Sequence, residues 1–394
     1  MVNNYCKKNN RCDKSKFVFI FILLFLTIII KYNPNNIIFF FKCYNESIQT
    51  YQLKDIFNID IKDKIILIFE PYPFHYECTP GFAKYFIDLG YNVDILMHYF
   101  GKDSFCLFEK KDKIRIILYK NLEQIHFFAK MLIRYMNYYS FILVQTVTKK
   151  KNETISNLEL LTNNKAIYVF HYTKHYEEMK INIEKNRIWT LGHFYLGLQV
   201  NPHYFGRIKL KDKNKKTRFF IVSTKSRNYN YIISSAKKIK SENIEFEIYV
   251  VGFAKSFSII NINKELKENF IFNYNVNYST LYKIVDNSDY IIMNLDPDID
   301  KSFKNERISG SAQLSYGFLK PAIINNYFKD NYNMSKENSF LFDKADFYNV
   351  MKKAILQNNK DYKKMQTNLL KLTKDLYERS VLNVQKTLNH LLNN

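Results

Sequence analysis

Apolar and polar positions alternate along this chain in two blocks of strand-like and helix-like segments. In the first block, KIILIF at 64–69 and NVDILM at 92–97 are short apolar runs, and they flank a periodic segment, 80–90, that begins at Pro80. Short apolar runs are typical of buried strands, and an apolar period near 3.6 is typical of a helix. Further strands are predicted at 114–119, 141–146 and 166–170, and further helices at 122–139 and 155–162. Strands that alternate with helices in this way predict βαβ units and a parallel sheet.

A second block of the same kind follows a polar, basic stretch, 201–216, which we interpret as a linker. Strands are predicted at 218–223, 246–252, 270–273, 289–295 and 322–324, helices at 229–240 and 278–287, and a helical tail from Phe347. We therefore predict two α/β domains in one chain, 45–207 and 217–375. Ligands of such sheets bind beyond the carboxyl ends of the strands, so the cleft between the domains is the expected site.

The first 41 residues have the pattern of a membrane anchor. A basic tail, 1–16, precedes the apolar run 17–30, and Lys31, Tyr32 and a second apolar patch, 37–41, follow it. The run is shorter than the about 20 residues that a spanning helix needs, but no small-residue cleavage site follows it. We predict membrane localisation through an uncleaved single-pass anchor within 17–41, with a cleaved signal peptide or an interfacial segment as the alternatives.

The charge of the whole chain favours an anionic partner. Its net charge is +22, and it holds only 9 Gly and 7 Pro while Asn, Lys and Ile are plentiful. A strong positive charge suits a membrane surface, a phosphorylated substrate or a nucleic acid. No nucleic-acid-binding motif or platform of basic and aromatic residues is evident, so we predict no nucleic-acid partner.

The stretch ERISGSAQLSYGFLKPAIINN, 306–326, gathers small polar residues before a short apolar helix. Ser309 or Ser311 would satisfy the free N–H groups of that helix as an N-cap. Alternatively, Gly310 and the two serines would let a phosphate approach the helix N-terminus. The sequence leaves both interpretations open.

Three segments resemble the GT-B glycosyltransferases of the retaining, family-4-like kind, and the resemblance covers roughly Lys64–Leu392. The segment 220–240 is similar to the first strand and diphosphate-binding loop of their C-terminal domain, and 273–295 is similar in its helix–strand layout. In the third segment Pro321 lies 15 residues after Glu306, which is the interval from the first acid of the family motif to its Pro. Leu314 stands where that motif has a second acid, and Gln313 lies beside it.

The resemblance implies two Rossmann-like domains that face a cleft, and the transmembrane helix predicted from the apolar run would precede them. The N-terminal domain would take the acceptor, the C-terminal domain would take the nucleotide-sugar, and the last helix, 376–394, would pack back on the N-terminal domain. It implies no cofactor and no bound metal, although Asp296-Pro297-Asp298 would be the place to look for one.

The resemblance also implies the site residues. Catalytic roles fall on His171 and Glu306, and acceptor-side roles on His75 and Glu77. Donor-binding roles fall on Lys225, Arg227, Asn228, Ser309, Gly310, Ser311 and Gln313. We expect the loop of Arg227 to be exposed and Asn228 to cap the helix that follows; a solvated basic turn is the alternative for this loop.

These observations predict a membrane-anchored glycosyltransferase that moves a sugar from a nucleotide-sugar to a glycan or lipid-linked acceptor. The missing second acid leaves a catalytically inactive, GT-B-shaped binding protein as the alternative.

Overall fold

The computed structural model describes residues 50–51, 64–72, 75–120, 139–147, 165–179, 183–192, 194–223, 227–253, 262 and 264–393. The predicted anchor, 17–41, lies outside these residues, as do the predicted helix 155–162 and all but the last residue of the predicted helix 122–139. Within the described residues, no helix combines the length and the apolar character that crossing a membrane requires.

The N-terminal half contains a parallel sheet of eight described strands. They are β1 (Thr50–Tyr51), β2 (Ile65–Phe69), β3 (Asn92–His98), β4 (Ile114–Tyr119), β5 (Phe141–Val144), β6 (Ala166–Phe170), β7 (Ile188–Thr190) and β8 (Leu198–Gln199). Their order across the sheet is β1-β4-β3-β2-β5-β6-β7-β8. The chain therefore reverses its direction of travel between β2 and β5, and a crevice opens at such a point in an open α/β sheet.

The C-terminal half contains a second parallel sheet, with six described strands. They are β9 (Thr217–Ser223), β10 (Phe246–Gly252), β11 (Phe270–Tyr274), β12 (Tyr290–Ile292), β13 (Ala322–Asn325) and β14 (Ser339–Phe342). Their order is β11-β10-β9-β12-β13-β14, so the corresponding switch lies between β9 and β12. The prediction of an α/β fold with two parallel sheets is confirmed.

The described helices cover these sheets and connect their strands. They are α1 (Thr79–Asp88), α2 (Lys174–Met179), α3 (Asn230–Ser241), α4 (Tyr278–Asn287), α5 (Ser302–Asn305), α6 (Gly310–Phe318), α7 (Phe347–Leu356) and α8 (Asn359–Asn393). Every residue of β2 is buried, as expected for a parallel strand with both faces covered.

Helix α8 takes part in the cores of both halves. Tyr362 and Met365, near its start, pack in the core of the C-terminal half, whereas Val384 and Leu388 pack in the core of the N-terminal half. The indole N–H of Trp189, which follows the first residue of β7, donates a hydrogen bond of 2.8 Å to the hydroxyl of Thr387. One continuous helix of 35 residues therefore ties the two halves together.

The segment that we interpret as a linker is polar in sequence but anchored in structure. Phe205 is fully buried, and a Cβ added to Gly317 of α6 would collide with its ring and with the carbonyl of His203. The Nδ1 atom of His203 donates to the backbone oxygen of Asn201 at 3.1 Å and to its side-chain oxygen at 3.0 Å. The apolar residues of this segment are few and irregularly spaced, so a hydrophobic pattern does not reveal the packing.

The buried imidazole of His203 predicts a loss of stability in acid. Burial lowers the pKa of His203 from 6.5 to about 4. Between these values the unfolded chain binds a proton that the folded chain does not, so the stability is present above pH 6.5 and is lost as the pH falls toward 4. The loss attributable to His203 is up to about 3 kcal/mol, at about 1.4 kcal/mol per pKa unit.

His203→Asn keeps an N–H donor without a titrating ring, so its free energy of unfolding should fall less between pH 7 and pH 5 than that of the unchanged protein. Urea unfolding at pH 7, 6 and 5 measures the difference between the two proteins. Equal pH slopes would contradict the assignment.

Candidate functional site

Three neighbouring strands of the N-terminal sheet end in polar residues. Glu70 follows β2, Gln145 follows β5 and His171 follows β6, and the order β2-β5-β6 places the three strand ends side by side. Glu70 and Gln145 are fully buried. The carboxyl edge of this sheet is therefore polar beneath the surface, although its strands are apolar.

Gln145 holds the two histidines that the sequence analysis singled out. Its side-chain N–H donates to the backbone oxygen of His75 at 2.8 Å, and its own backbone oxygen lies 3.0 Å from Nε2 of His171. The rings of His75 and His171 are stacked, with centroids 3.9 Å apart. His75 has a φ of 63°, which is costly for a residue with a Cβ, and the bond from Gln145 helps to hold it there.

These contacts define the chemical state of His171. A carbonyl oxygen only accepts, so Nε2 of His171 carries the hydrogen and the lone pair is on Nδ1. Burial, and then the neighbouring His75, hold the pKa of His171 well below its ordinary value. His171 is thus a neutral imidazole at pH 7.

Glu77 lies between the two halves. One carboxylate oxygen, Oε1, is 3.6 Å from Nδ1 of His75, and the other accepts a hydrogen bond of 3.3 Å from the hydroxyl of Tyr278, at the start of α4. Burial opposes ionisation of Glu77, but the hydrogen bond and charge of His75 and the Tyr278 hydroxyl bring its pKa below the ordinary value. Glu77 therefore carries a negative charge at neutral pH.

Glu70 is a second acid of this edge, and the sequence analysis missed it. Its carboxylate accepts from the hydroxyl of Thr146 at 2.6 Å and from the backbone N–H of Tyr72 at 2.9 Å. Burial raises the pKa of Glu70 well above its ordinary value. Buried acids with strongly shifted pKa values concentrate at functional sites. The sequence signal is a polar residue directly after a buried strand, which also marks Gln145.

The N-terminus of α6 faces this edge from the C-terminal half. Ser309 is the N-cap residue, but its side chain makes no capping hydrogen bond, and its N–H donates to the hydroxyl of Tyr332 at 3.1 Å. The simple capping role that the sequence offered for Ser309 is wrong. The N–H groups of Gly310 and Ser311 have no partner within the described residues.

Gln313 adds a second unsatisfied group to the first turns of α6. It is only 1% exposed, and neither atom of its carboxamide has a hydrogen-bond partner in the part of the chain that the structure describes. Helical side chains lean toward the N-terminus of their helix, so this carboxamide leans toward the same opening. Buried polar groups are almost always paired, and this one is therefore available to a ligand.

The side chain of Arg227 is not exposed, so our expectation is wrong for this residue; residues 224–226 of the loop lie outside the described residues. Its Nη1 atom lies 2.7 Å from Oδ2 of Asp300, and the side chain is only 9% exposed. Its guanidinium also lies 4.8 Å from the ring centre of Phe303, and that of Arg307 lies 4.0 Å from the same ring. Asp300 is itself buried, in the loop after β12, and is a long-range partner that the sequence around Arg227 does not indicate. A donor diphosphate that bound Arg227 would therefore also lie close to the carboxylate of Asp300.

Of the two remaining residues of the predicted donor loop, the structure describes one. Lys225 lies outside the described residues. Asn228 accepts from the N–H of Asn230, the first residue of α3, at 3.0 Å, and so satisfies an N–H of the helix start as expected.

Two carboxylates of the acidic loop after β12 share one lysine as their partner. Lys344 forms ion pairs with Asp296, at 2.8 Å, and with Asp298. Among the described residues, no group of three or more His, Cys, Asp or Glu side chains is arranged to hold a metal ion. That no bound metal takes part stays a prediction from the resemblance.

Glu306 lines a cavity beside the histidines rather than standing among them. Its backbone oxygen accepts from the N–H of Thr173 at 3.0 Å, and Tyr172 and Arg307 form an antiparallel β-bridge next to it. The cavity has a volume of about 850 Å³ and is lined from both halves and from α8, by residues that include Thr173, Glu177, Tyr195, Glu306, Tyr327 and Arg379.

The structure thus brings His75, Glu77 and Gly310 together directly. Ser309, Ser311 and Gln313 belong to the same helix start, and His171 stacks on His75. Glu306 and Arg227 lie nearby but make other contacts. The predicted roles of all these residues stay predictions.

Solved structures with the same arrangement of two facing sheets are glycosyltransferases. The chain is similar to a glycosyltransferase from Rickettsia africae, with 14% identity, a TM-score of 0.52, and coverage of 85% of this chain and 100% of the other. The chain has the GT-B fold. At this identity the likeness concerns the fold alone.

Two further structures are more distant. The ADP-heptose heptosyltransferase II of E. coli has 8% identity and a TM-score of 0.47, with 75% of this chain and 99% of the other covered. The Arabidopsis thaliana protein UGT89C1, solved with quercetin, has 10% identity and a TM-score of 0.43, with 84% and 100% covered. No protein-family model and no curated protein matches the sequence.

The buried ion pair of Arg227 gives a stability prediction. Arg227→Ala should lower the free energy of unfolding by about 3–5 kcal/mol, because Asp300 would be left buried without its counter-charge. Adding Asp300→Asn, which keeps an acceptor for the N–H of Asp296, should recover part of that loss.

Chemical unfolding of the two single variants and the double variant measures the coupling. If Arg227→Ala unfolds at the same denaturant concentration as the unchanged protein, Arg227 has no structural role and its predicted exposure was correct.

Proposed function

We propose that this protein is a glycosyltransferase that moves a sugar from a nucleotide-sugar to a glycan or lipid-linked acceptor. The observation that carries the proposal is the unsatisfied start of α6: two of its N–H groups and the carboxamide of Gln313 have no partner within the described residues, and Gly310 lies opposite Glu77 of the other half. The GT-B fold supports it, since the cleft between its halves is where a ligand touches both.

The donor diphosphate would bind at the start of α6. Backbone N–H groups and the helix dipole favour an anion there. Gly310 has no positive φ, and a Cβ at this position would meet no heavy atom within 4 Å outside its own helix except Oε1 of Glu77, at 3.5 Å. Apart from this carboxylate, no heavy atom of the described residues outside the helix start obstructs the approach of a phosphate group. The N–H groups would stabilise the charge that develops on the departing diphosphate.

The acceptor would bind in the cavity lined by Glu306. Its charges balance, with Lys174, Lys304 and Arg379 against Glu177, Glu306 and Asp330. The side chain of Tyr195 is 69% exposed, and that of Tyr327 is 38% exposed. Carboxylates, amides and exposed tyrosine rings suit the hydroxyl groups and apolar faces of a sugar. Glu306 would then contact sugar hydroxyls rather than the diphosphate.

The histidines and acids between these two regions would handle the proton of the acceptor hydroxyl. Neutral His171 has its lone pair on Nδ1, and Glu77 is ionised beside His75. Either group can accept a proton at neutral pH. The bonds from Gln145 hold the backbone of His75 and the ring of His171, and the two rings stack, so this geometry is present before a substrate binds.

The finer parts of the proposal rest on the sequence. The family-4-like character rests on the spacing of Glu306 and Pro321, membrane attachment rests on residues 17–41, and transfer without a metal follows from the resemblance. The alternative, an inactive GT-B-shaped binding protein, has one observation in its favour: Leu314, at the position of the second acid, is buried in a hydrophobic cluster.

The glycine at the start of α6 provides the test. Gly310→Val should abolish binding of nucleoside diphosphates, because its branched side chain fills the space where the phosphate would lie, while the melting temperature changes little. Gly310→Ala, with a single methyl group, should retain much of the binding. Calorimetry with UDP, GDP and CDP measures affinity, and a thermal-shift screen of their sugars identifies the donor.

Gly317→Ala is the matched control within the same helix. It should lower stability, because its Cβ meets Phe205 and His203, without removing diphosphate binding from the folded protein. Normal affinity in folded Gly310→Val would exclude the start of α6 as the diphosphate site. Donor binding without hydrolysis or transfer would favour the inactive binding protein.

A further inference from the structure

The N-terminus of α6 already has an anion in front of it. A Cβ built on Gly310 would lie 3.5 Å from Oε1 of Glu77, and no other heavy atom outside the helix comes within 4 Å of that point. Glu77 belongs to the opposite half of the protein, in the 3₁₀ turn before α1. The carboxylate therefore reaches across the cleft to the place where two backbone N–H groups are free.

Neighbouring groups hold this carboxylate in position. His75 lies 3.6 Å from Oε1, and the hydroxyl of Tyr278 donates to Oε2 at 3.3 Å. The side chain of Glu77 is only 18% exposed. No Lys or Arg forms an ion pair with Glu77 among the described residues, so the start of α6 supplies part of its favourable electrostatic environment.

We propose that Glu77 is an internal anion that lies where a diphosphate would approach the start of α6, so that this position of the carboxylate and a bound diphosphate exclude each other. The inference rests on the proposed function, which places the diphosphate there. Two negative groups a few ångströms apart in a partly buried cleft repel strongly, and a diphosphate bound to the free N–H groups would need the space that the carboxylate fills.

The exclusion has a consequence for the cleft. Glu77 links the halves through its hydrogen bond to Tyr278, and a diphosphate that displaces the carboxylate from the front of Gly310 would remove this link. The freed carboxylate remains beside His75, on the side from which an acceptor hydroxyl would arrive. Donor binding would thus convert Glu77 from a partner of α6 into an unoccupied proton acceptor.

Diphosphate affinity tests the proposal. Glu77→Gln keeps the size of the side chain and removes its charge, so inorganic pyrophosphate and UDP should bind about tenfold more tightly, the equivalent of about 1.4 kcal/mol. Glu77→Asp keeps the charge but shortens the side chain by one methylene, and its gain in affinity should be smaller. Glu109→Gln removes a carboxylate elsewhere on the N-terminal half and should leave the affinity within twofold.

Calorimetry on the full chain, with the melting temperature of each variant recorded, distinguishes the outcomes. If the unchanged protein binds UDP or pyrophosphate and Glu77→Gln binds no more tightly, the proposal is overturned while the donor site stands. If neither protein binds any diphosphate, the donor site of the proposed function fails, and this inference fails with it. Tighter binding together with loss of sugar transfer in Glu77→Gln would support both the exclusion and the later role as proton acceptor.

Discussion

Helix α8 is the constraint on which the facing of the two sheets depends. It buries Tyr362 in one core and Leu388 in the other, and each side chain of this kind contributes about 1.5–3 kcal/mol when fully buried. The hydrogen bond between Trp189 and Thr387 fixes its second half. Because the helix is continuous between these anchors, one half cannot turn far relative to the other without bending α8 or removing apolar side chains from a core.

The polar groups at the two facing edges are complementary in charge, and the constraint keeps them opposite each other. The N-terminal edge carries the acids Glu70 and Glu77, whereas the C-terminal edge carries Arg307 and the free N–H groups of α6. Opposite partial charges favour contact between the edges even without a ligand, as the hydrogen bond between Tyr278 and Glu77 shows. A substrate must replace these contacts rather than enter an empty cleft, so the affinity for a ligand is the difference between the two sets of interactions.

The sequence predicts the long elements because their buried residues form apolar runs or regular apolar periods within each element. The strands from β2 to β6 and from β9 to β13 appear as apolar runs, whereas β1, β7, β8 and β14 were not predicted; β1 and β8, at two residues each, are too short to show any periodicity. The candidate site was predictable where chemistry follows a strand directly, as at His171. The site was not predictable where a residue's partner lies far along the chain. Asp300, which forms an ion pair with Arg227, is one such partner, and Phe205, which packs beside Gly317, is another.

Leu314 shows how far the resemblance to the family-4-like motif extends. The position lies on α6, is only 3% exposed, and packs with the apolar core of the C-terminal half, so an acid there would be buried without a counter-charge. The neighbouring Gln313 is also buried, but its carboxamide has no hydrogen-bond partner among the described residues, and this group can both donate and accept. Within the proposed function, a ribose bound near this turn would therefore be held by a neutral group. A carboxamide can form hydrogen bonds with two hydroxyl groups without repelling the diphosphate. A carboxylate would instead add a second negative charge to a cleft that already contains Glu77.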